Sequence, residues 1–329
     1  MKTVHLSQFK TALFLGLFLA FQSCMPVPGS WKNDQISAGK RDDFHQLNSS
    51  AITYLKANDP KGLKMVGSKE MNQQINERLV ERISYWLNDN TYKLLDEYYA
   101  VHKYKDTDTI PVKSGDINRY SVLYPDKAQE MYMAYFVPEK GNNKYMLSLV
   151  FAKLSYGWKL VKFSLEPYTL NGKTAPELYA LARQQYDKQE VQAALNNVSL
   201  AMTCFEPGAY WKYPDKGDAQ DLYVRVNKAV NERYSYPLIL HQLSTGPMIL
   251  RVYNKTVDDG TYPMIYYMTH YELKDTDDVK KENLKIRAVI AKLMPGIDEN
   301  NKYILYSAFN KQPTGYNTVE HFEMMVKVH

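Results

Sequence analysis

The sequence predicts an α+β protein, in which helices pack on antiparallel sheets, and three observations support this fold class. The chain has 329 residues, a length typical of two domains. Apolar residues recur at helical spacing in some segments and alternate with period two, as in strands, in others. Short turns, and not helices, separate the strand-like segments of the first half, which favours antiparallel pairing over a doubly wound parallel sheet.

Residues 1–23 are predicted to be a signal peptide that ends before a lipidated cysteine, Cys24. Two lysines precede the apolar run 12–21, which is about half as long as a membrane-spanning helix of about 20 residues. Ser23 directly before Cys24 resembles the lipobox of bacterial lipoproteins. The resemblance implies that the membrane partner is lipid, held through acyl chains on Cys24. The alternative is an ordinary secretory signal that is cleaved nearby, with Cys24 unmodified.

A lipidated tether is predicted for residues 24–43, because this segment has prolines and glycines but no apolar periodicity. The first α+β domain is predicted to cover residues 44–168. Its predicted elements are a helix ending at Lys56, a helix from Ser68 to Leu87, a helical piece around Leu94–Tyr99, and strands at 118–125, 129–138, 144–154 and 157–166. In the last strand the apolar phase changes after Leu160, which predicts a bulge or a bend.

The first domain is therefore expected to be a curved antiparallel sheet with helices packed on it. This order of elements resembles the nuclear transport factor two-like superfamily, a cone-shaped fold that also contains ketosteroid isomerase-type enzymes. The resemblance implies a cavity between helices and sheet that could hold an apolar or sugar ligand, whereas a filled aromatic core is the alternative. The residues predicted to line such a cavity are Trp86, Tyr120, Tyr135, Tyr145 and Trp158.

Acid–base chemistry in a cone would need a carboxylate and often a tyrosine hydroxyl that face the cavity. The candidate carboxylates are Asp96, Asp116 and Glu166. The candidate hydroxyl groups belong to Tyr120, Tyr132, Tyr135 and Tyr145. Because the chain has 28 tyrosines, such pairs also arise by chance, and no catalytic residue is assigned.

Residues 169–207 are predicted to form a helical hairpin that begins at Thr174, with Pro and Glu in its first turn. The segment resembles one tetratricopeptide repeat, in which Ala194 and Ala201 are seven residues apart. Stacked repeats need about three copies and only one is present, so a structural connector is expected rather than a peptide-binding groove.

A second α+β domain is predicted for residues 208–329. Its predicted elements are a helix at 219–234, strands at 237–242, 247–254 and 262–273, a helix from Asp277 to Pro295, and strands at 302–309 and 319–328.

Motifs for cofactors, metals and nucleic acids are missing from the sequence. The glycines form neither standard phosphate-binding loop, so no nucleotide is expected. No two histidines have metal-ligand spacing, and neither a metal nor another cofactor is expected. Cys204, next to apolar residues on a helix, is expected to be a buried thiol. Loss of residues 1–23 lowers the net charge from +5 to +3, which is too small to indicate nucleic-acid binding.

The lipobox-like end and the composition together resemble cell-envelope lipoproteins of Bacteroidota. Acidic residues often follow the cysteine in the surface-exported members, and none directly follows Cys24, which predicts a periplasm-facing location. We therefore expect a non-catalytic, membrane-anchored lipoprotein that binds a protein or a small ligand at the cell envelope. The alternatives are an enzyme that uses the cavity of the first domain and a structural component of an envelope assembly.

Overall fold

The structure is a computed structural model that describes residues 27–103, 107–112, 117–125, 127–314 and 319–328. The predicted signal peptide, Cys24 and Asp116 lie outside these residues. Within them the fold is α+β, as predicted, with eight α-helices and three mostly antiparallel sheets. No helix in the described ranges combines the length and the apolar character needed to cross a membrane.

The helices and strands follow one another along the chain in mixed order. The helices are α1 Ala38–Lys56, α2 Pro60–Val66, α3 Lys69–Gln73, α4 Glu77–Asp89, α5 Ala175–Asp187, α6 Val191–Cys204, α7 Lys216–Tyr234 and α8 Thr276–Leu293. The strands are β1 Gly29–Lys32, β2 Tyr92–Val101, β3 Thr107–Val112, β4 Tyr120–Pro125, β5 Glu130–Pro138, β6 Lys144–Leu154, β7 Gly157–Thr169, β8 Trp211–Lys212, β9 Leu238–Ile239, β10 Met248–Val257, β11 Gly260–Met268, β12 Tyr303–Phe309 and β13 His321–Lys327.

The first sheet has the strand order β1-β2-β5-β6-β7, and all its pairs are antiparallel. Helices α1 to α4 cover one face through apolar residues such as Phe44 and Ile83. The end of α6 and the segment after it cover the other face with Phe205 and Trp211. Because both faces are covered, every residue of the central strand β5 is buried.

Three sequence predictions for the first domain are wrong. The single helix predicted from Ser68 to Leu87 is divided into α3 and α4. The segment around Leu94–Tyr99 was expected to be helical, but it belongs to strand β2. Residues of β2 are buried on both faces near its end, so large side chains stand next to one another instead of alternating with polar ones. The strand predicted at 118–125 was placed in one meander with the next three. It pairs instead with β3 and β8 in a separate three-stranded sheet.

The folded part of the chain begins inside the segment that was predicted to be a tether, residues 24–43. Strand β1 pairs with β2, and α1 begins at Ala38, before the predicted start of the first domain at residue 44. Ile36, between them, is buried in the core that α1 to α4 form with the first sheet. The segment lacks apolar periodicity because polar contacts hold most of it, and this explains the wrong prediction.

Other local predictions are confirmed. In β7 the register shifts opposite Val150 and Phe151, which places the predicted bulge at Val161. Helix α5 begins after Thr174, whose backbone N–H donates to the Glu177 carboxylate at 2.8 Å. Cys204 is fully buried.

The second sheet has the strand order β13-β12-β11-β10-β9. Strands β11 and β12 are parallel because α8 connects them, and the other pairs are antiparallel. Apolar residues of α7 and α8 pack on one face together with part of α6. Since β9 pairs only with Met248 and Ile249, the rest of β10 is an edge among the described residues, and this edge faces α6.

Candidate functional site

The five aromatic residues predicted to line a cone cavity are not brought together. Tyr120 and Tyr135 lie in the core on one face of the first sheet, whereas Trp86, Tyr145 and Trp158 pack against the core on the opposite face. The space on the first face is filled by Trp211, whose ring centroid lies 3.5 Å from that of Tyr120 and 5.3 Å from that of Tyr135. Tyr120 and Tyr135 are therefore part of a packed core and do not line a cavity there.

Asp96 and Tyr120, two of the acid–base candidates, are in direct contact. The Tyr120 hydroxyl donates to Asp96. The Tyr98 hydroxyl lies 2.7 Å from the Tyr120 hydroxyl. Burial and the nearby Tyr98 and Asp96 raise the pKa of Tyr120 far above its usual value. Asp96 also accepts from Lys32 Nζ and Asn33 Nδ2, both at 2.9 Å. The carboxylate therefore attaches β1 and the residue after it to the sheet, which is a structural role.

Tyr132, another candidate, serves a similar attachment of α1. Its hydroxyl donates to the buried Glu97 carboxylate at 2.7 Å and accepts from Asn48 Nδ2 at the same distance. His45 of α1 contacts both Glu97 oxygens through Nε2, at 3.1 and 3.2 Å. Glu97, His45, Tyr132 and Asn48 Nδ2 bond to one another, and only Asn48 Oδ1 is left without a partner among the described residues, so the cluster holds α1 on the sheet and lines neither of the two pockets described below.

A pocket of about 420 Å³ lies where β7, α6 and β10 meet, and we call it the junction pocket. None of its described lining residues is charged. The lining combines tyrosine rings and aliphatic side chains with amides and hydroxyl groups. Its polar and aromatic residues are Tyr145, Asn196, Ser199, Thr203, Tyr223, Asn227, Tyr253, Asn254, Thr256 and Thr261.

Asn196 is the most informative residue of the junction pocket. It is only 6% exposed, its Oδ1 accepts from Gln192 Nε2 at 3.0 Å, and its backbone oxygen accepts from Asn254 Nδ2 at 2.8 Å. Its own Nδ2 has no hydrogen-bond partner among the described residues. Burying an amide donor without a partner costs about 1–3 kcal/mol. Several buried side chains of the described residues have such an atom, and Asn196 is the one among them that lines the junction pocket.

An asparagine clasp, formed by Asn143 and Asn171 with Thr261, holds the two sheets together beside the pocket. The Thr261 N–H donates to Asn171 Oδ1 at 2.7 Å, and Asn171 Nδ2 donates to the Thr261 carbonyl. Asn143 Nδ2 donates to the Thr261 hydroxyl at 3.0 Å. Asn171 has a φ of +52°, a left-handed conformation that asparagine tolerates. The clasp therefore sets the position of the β10–β11 hairpin relative to β7.

A second pocket, of about 490 Å³, contains Lys162, Lys212 and Lys216, and we call it the lysine pocket. Glu206 lies in the same pocket and accepts from Lys212 at 2.6 Å and from Lys216 at 3.0 Å. These two hydrogen bonds lower the pKa of Glu206 to about 2, against the weaker effect of burial. Two of the three lysine charges thus already have a carboxylate partner.

Glu166 and Tyr210 give the lysine pocket its remaining chemistry. Burial raises the pKa of Glu166, and Arg82 partly opposes this effect. Tyr210 has a φ of +68°, which is a strained conformation for a large side chain. Its carbonyl accepts from Leu123 N at 2.9 Å, and Lys162 Nζ lies 4.8 Å from its ring centroid. A backbone hydrogen bond from Leu123 therefore helps to fix Tyr210 in this strained conformation, and Tyr210 lines the lysine pocket.

Of the residues singled out in the sequence, Tyr145 lines the junction pocket and Glu166 lines the lysine pocket. The amides were missed, although Gln192 and Asn196 are four residues apart and so share one face of α6, which was a visible signal. Within the described ranges, no three His, Cys, Asp or Glu side chains are grouped so that they could hold a metal ion. Comparison of the chain with protein-family models, curated proteins and solved structures finds no match.

Proposed function

We propose that the protein is a lipid-anchored, periplasm-facing binding protein whose junction pocket takes a neutral, hydroxyl-rich ligand of the saccharide class. One observation carries the proposal: the pocket offers amides, hydroxyl groups and tyrosine rings without any charge among its described lining residues, and Nδ2 of the buried Asn196 has no partner among the described residues. Sugar hydroxyl groups both donate and accept hydrogen bonds, as amide and hydroxyl side chains do.

The position and size of the pocket support the same proposal. Ligand pockets commonly have volumes of about 300–1,000 Å³ and occur where structural units meet. The junction pocket has about 420 Å³ and lies between the two sheets. Tyr145, Tyr223 and Tyr253 provide rings whose faces are apolar and whose hydroxyl groups are polar, and this combination suits a ring-shaped ligand with both kinds of surface.

Binding is tested with the full chain in detergent micelles. A glycan array identifies neutral oligosaccharides that bind, and calorimetry then compares the wild type with Asn196→Leu. We expect at least about a tenfold loss of affinity, because the variant removes a donor that only the ligand satisfies.

Asn197→Leu is the matched control. The Asn197 amide donates to Gln185 Oε1 at 2.7 Å, and its side chain does not line the pocket. The control should therefore keep the affinity of the wild type even if it loses some stability. Absence of binding to any saccharide, or an equal loss in both variants, would contradict the proposal.

The lipid anchor is tested by labelling growing cells with radioactive palmitate. The wild type is expected to incorporate the label and to sediment with membranes, whereas Cys24→Ala is expected to do neither. Cys204→Ala is the control, because Cys204 is buried in the core and inaccessible to an acyl transferase. Equal labelling of the wild type and Cys24→Ala would refute the anchor.

An enzyme is the second candidate, and Glu166 is the observation that favours it. A carboxyl group whose pKa is raised by burial, in an open pocket, has the properties of a general acid. If a saccharide that binds is also cleaved, Glu166→Gln should abolish the cleavage and leave binding within a factor of about three. Binding without any turnover in the wild type would exclude this candidate.

A further inference from the structure

The junction pocket and the lysine pocket are adjacent. Thr203 of α6 lines both of them, and its side chain is exposed at the boundary. On the opposite wall, Glu166 lines the lysine pocket and the next residue, Pro167, lines the junction pocket. Successive residues of a strand face opposite sides, so the continuity rests on Thr203, which joins the two pockets into one groove along α6 beside β7.

The groove is longer than one sugar ring. Lys162, Ser164 and Glu166 alternate along β7, so their side chains lie on one face of the strand. At a rise of about 3.3 Å per residue, the Cα atoms of Lys162 and Glu166 are about 13 Å apart. Lys162 therefore lies at the far end of the lysine pocket, and the junction pocket begins beyond Glu166.

Lys162 differs in its surroundings from the other two lysines. Lys212 and Lys216 both donate to Glu206, whereas Lys162 forms no ion pair among the described residues. Its side chain is exposed, and its Nζ lies over the ring of Tyr210. An ammonium group in this position is available for a negatively charged group of a ligand, and a ring beneath it keeps it in place.

We propose that the two pockets form one groove for an acidic oligosaccharide, whose neutral part occupies the junction pocket and whose carboxylate binds Lys162. The inference rests on the proposed function, because it extends the same ligand from the junction pocket. Asn196 would then select for hydroxyl groups at one end of the groove, and Lys162 would select for negative charge at the other.

The experiment compares each acidic oligosaccharide with its own neutral derivative. The probes are unsulfated hexasaccharides derived from pectin, alginate and hyaluronan, each with and without carboxyl reduction, which converts every carboxylate into a hydroxymethyl group. Affinities are measured by calorimetry on the full chain in detergent micelles. We expect at least one acidic hexasaccharide to bind about tenfold more tightly than its reduced form, as one charge-assisted hydrogen bond provides.

Two variants assign this preference to a residue. Lys162→Met should make the acidic and reduced forms bind equally, and it should leave the affinity for the reduced form unchanged. Lys188→Met is the matched control, since Lys188 is exposed at the end of α5 and lines neither pocket, and it should retain the preference.

The outcomes that overturn the inference differ from those that overturn the proposed function. Equal binding of acidic and reduced forms by the wild type, or a preference that survives in Lys162→Met, refutes the acidic groove and leaves saccharide binding intact. Failure of every saccharide, acidic or neutral, refutes both. Binding of hexaglutamate with the same dependence on Lys162, and with no saccharide bound, would show that the groove accepts peptides instead.

Discussion

Burial determines the chemistry of Cys204. Its side chain is fully buried, and burial raises the pKa of the thiol to about 12. Because the thiolate is the reactive form, the folded protein is expected to be unreactive toward Ellman's reagent at pH 8. After unfolding in guanidinium chloride, Cys204 should react at once. Rapid reaction of the native Cys24→Ala variant, which keeps only Cys204, would contradict this.

Glu130 is a buried carboxylate that two lysines stabilise. It accepts from Lys153 Nζ at 2.6 Å, from Lys40 Nζ at 3.1 Å and from the Tyr99 hydroxyl. Burial alone would raise its pKa, but the hydrogen bonds outweigh this effect and lower the pKa to about 2. Since the folded pKa lies below the unfolded one, the stabilisation is complete above about pH 4.5 and is lost as the pH falls toward 2.

Glu130→Gln should therefore lower the free energy of unfolding by about 2 kcal/mol at pH 7, as expected when a buried carboxylate loses its charge. At pH 3 the difference from the wild type should be less than half as large. Urea denaturation at pH 7 and pH 3 measures this difference. The control is Glu139→Gln, which changes an exposed carboxylate just after β5 and should alter stability by less than about 0.5 kcal/mol. A difference that does not depend on pH would show that the ion pairs contribute nothing.

The sequence predicted residue types at the candidate site better than it predicted the site itself. Tyr145 and Glu166 were named as candidates, and both line pockets. Their expected partners were wrong, because the pockets are completed by α6 and β10, which are far from the first sheet in the chain. Asn196 and Asn254 come into contact only through tertiary packing, which no local pattern reports.

At the level of elements, predictions succeeded where the signal is local. Helix α5 begins where Thr174 and Glu177 form a cap, and both residues are visible in the sequence. Strand β2 was predicted to be a helix because its end is buried on both faces, so the apolar pattern has no period of two. Whether one face or both faces of a strand are buried depends on the rest of the fold.

The N-terminal strap, residues 29–45, is expected to detach when its polar contacts are broken. Asn33 accepts from the Glu97 N–H at 2.8 Å and donates to Asp96 at 2.9 Å. Asn33→Asp replaces that donor with a carboxylate beside Asp96, and like charges repel. Hydrogen exchange should become at least about tenfold faster in the strap and stay unchanged in β5.

Asn58→Asp is the control for this substitution. Asn33 and Asn58 both have a positive φ, +48° and +49°, but Asn58 is exposed in a turn. Asn58→Asp should leave the rate of hydrogen exchange in the strap the same as in the wild type. Equal protection of the strap in Asn33→Asp and Asn58→Asp would mean that apolar contacts, such as that of Ile36, hold the strap without help from Asn33.

For the whole molecule, the asparagine clasp is expected to make the two sheets unfold together. Asn171→Gly introduces a residue that also tolerates the positive φ, and it removes both side-chain hydrogen bonds to Thr261. Differential scanning calorimetry should show one transition for the wild type and a broader or double transition for the variant. Loss of the clasp should also weaken ligand binding, because Thr261 lines the junction pocket. An unchanged single transition would show that the clasp does not couple the sheets.

The fold class followed from the sequence, but the arrangement of the sheets did not. Alternating patterns and turns located most strands of the second sheet to within a few residues. The third sheet was missed because β4 pairs with the two-residue strand β8, which follows α6 and has no pattern of its own. The division of the chain into domains stays a prediction.

The early start of the fold limits how far the protein could extend from a membrane. If Cys24 carries lipid, the five residues from there to Gly29 at the start of β1 span at most about 18 Å, whereas a tether of twenty residues would reach about 70 Å. The folded body would then rest close to the lipid headgroups. A saccharide would have to approach the bilayer to be captured, and any partner in the same membrane would be encountered by lateral diffusion.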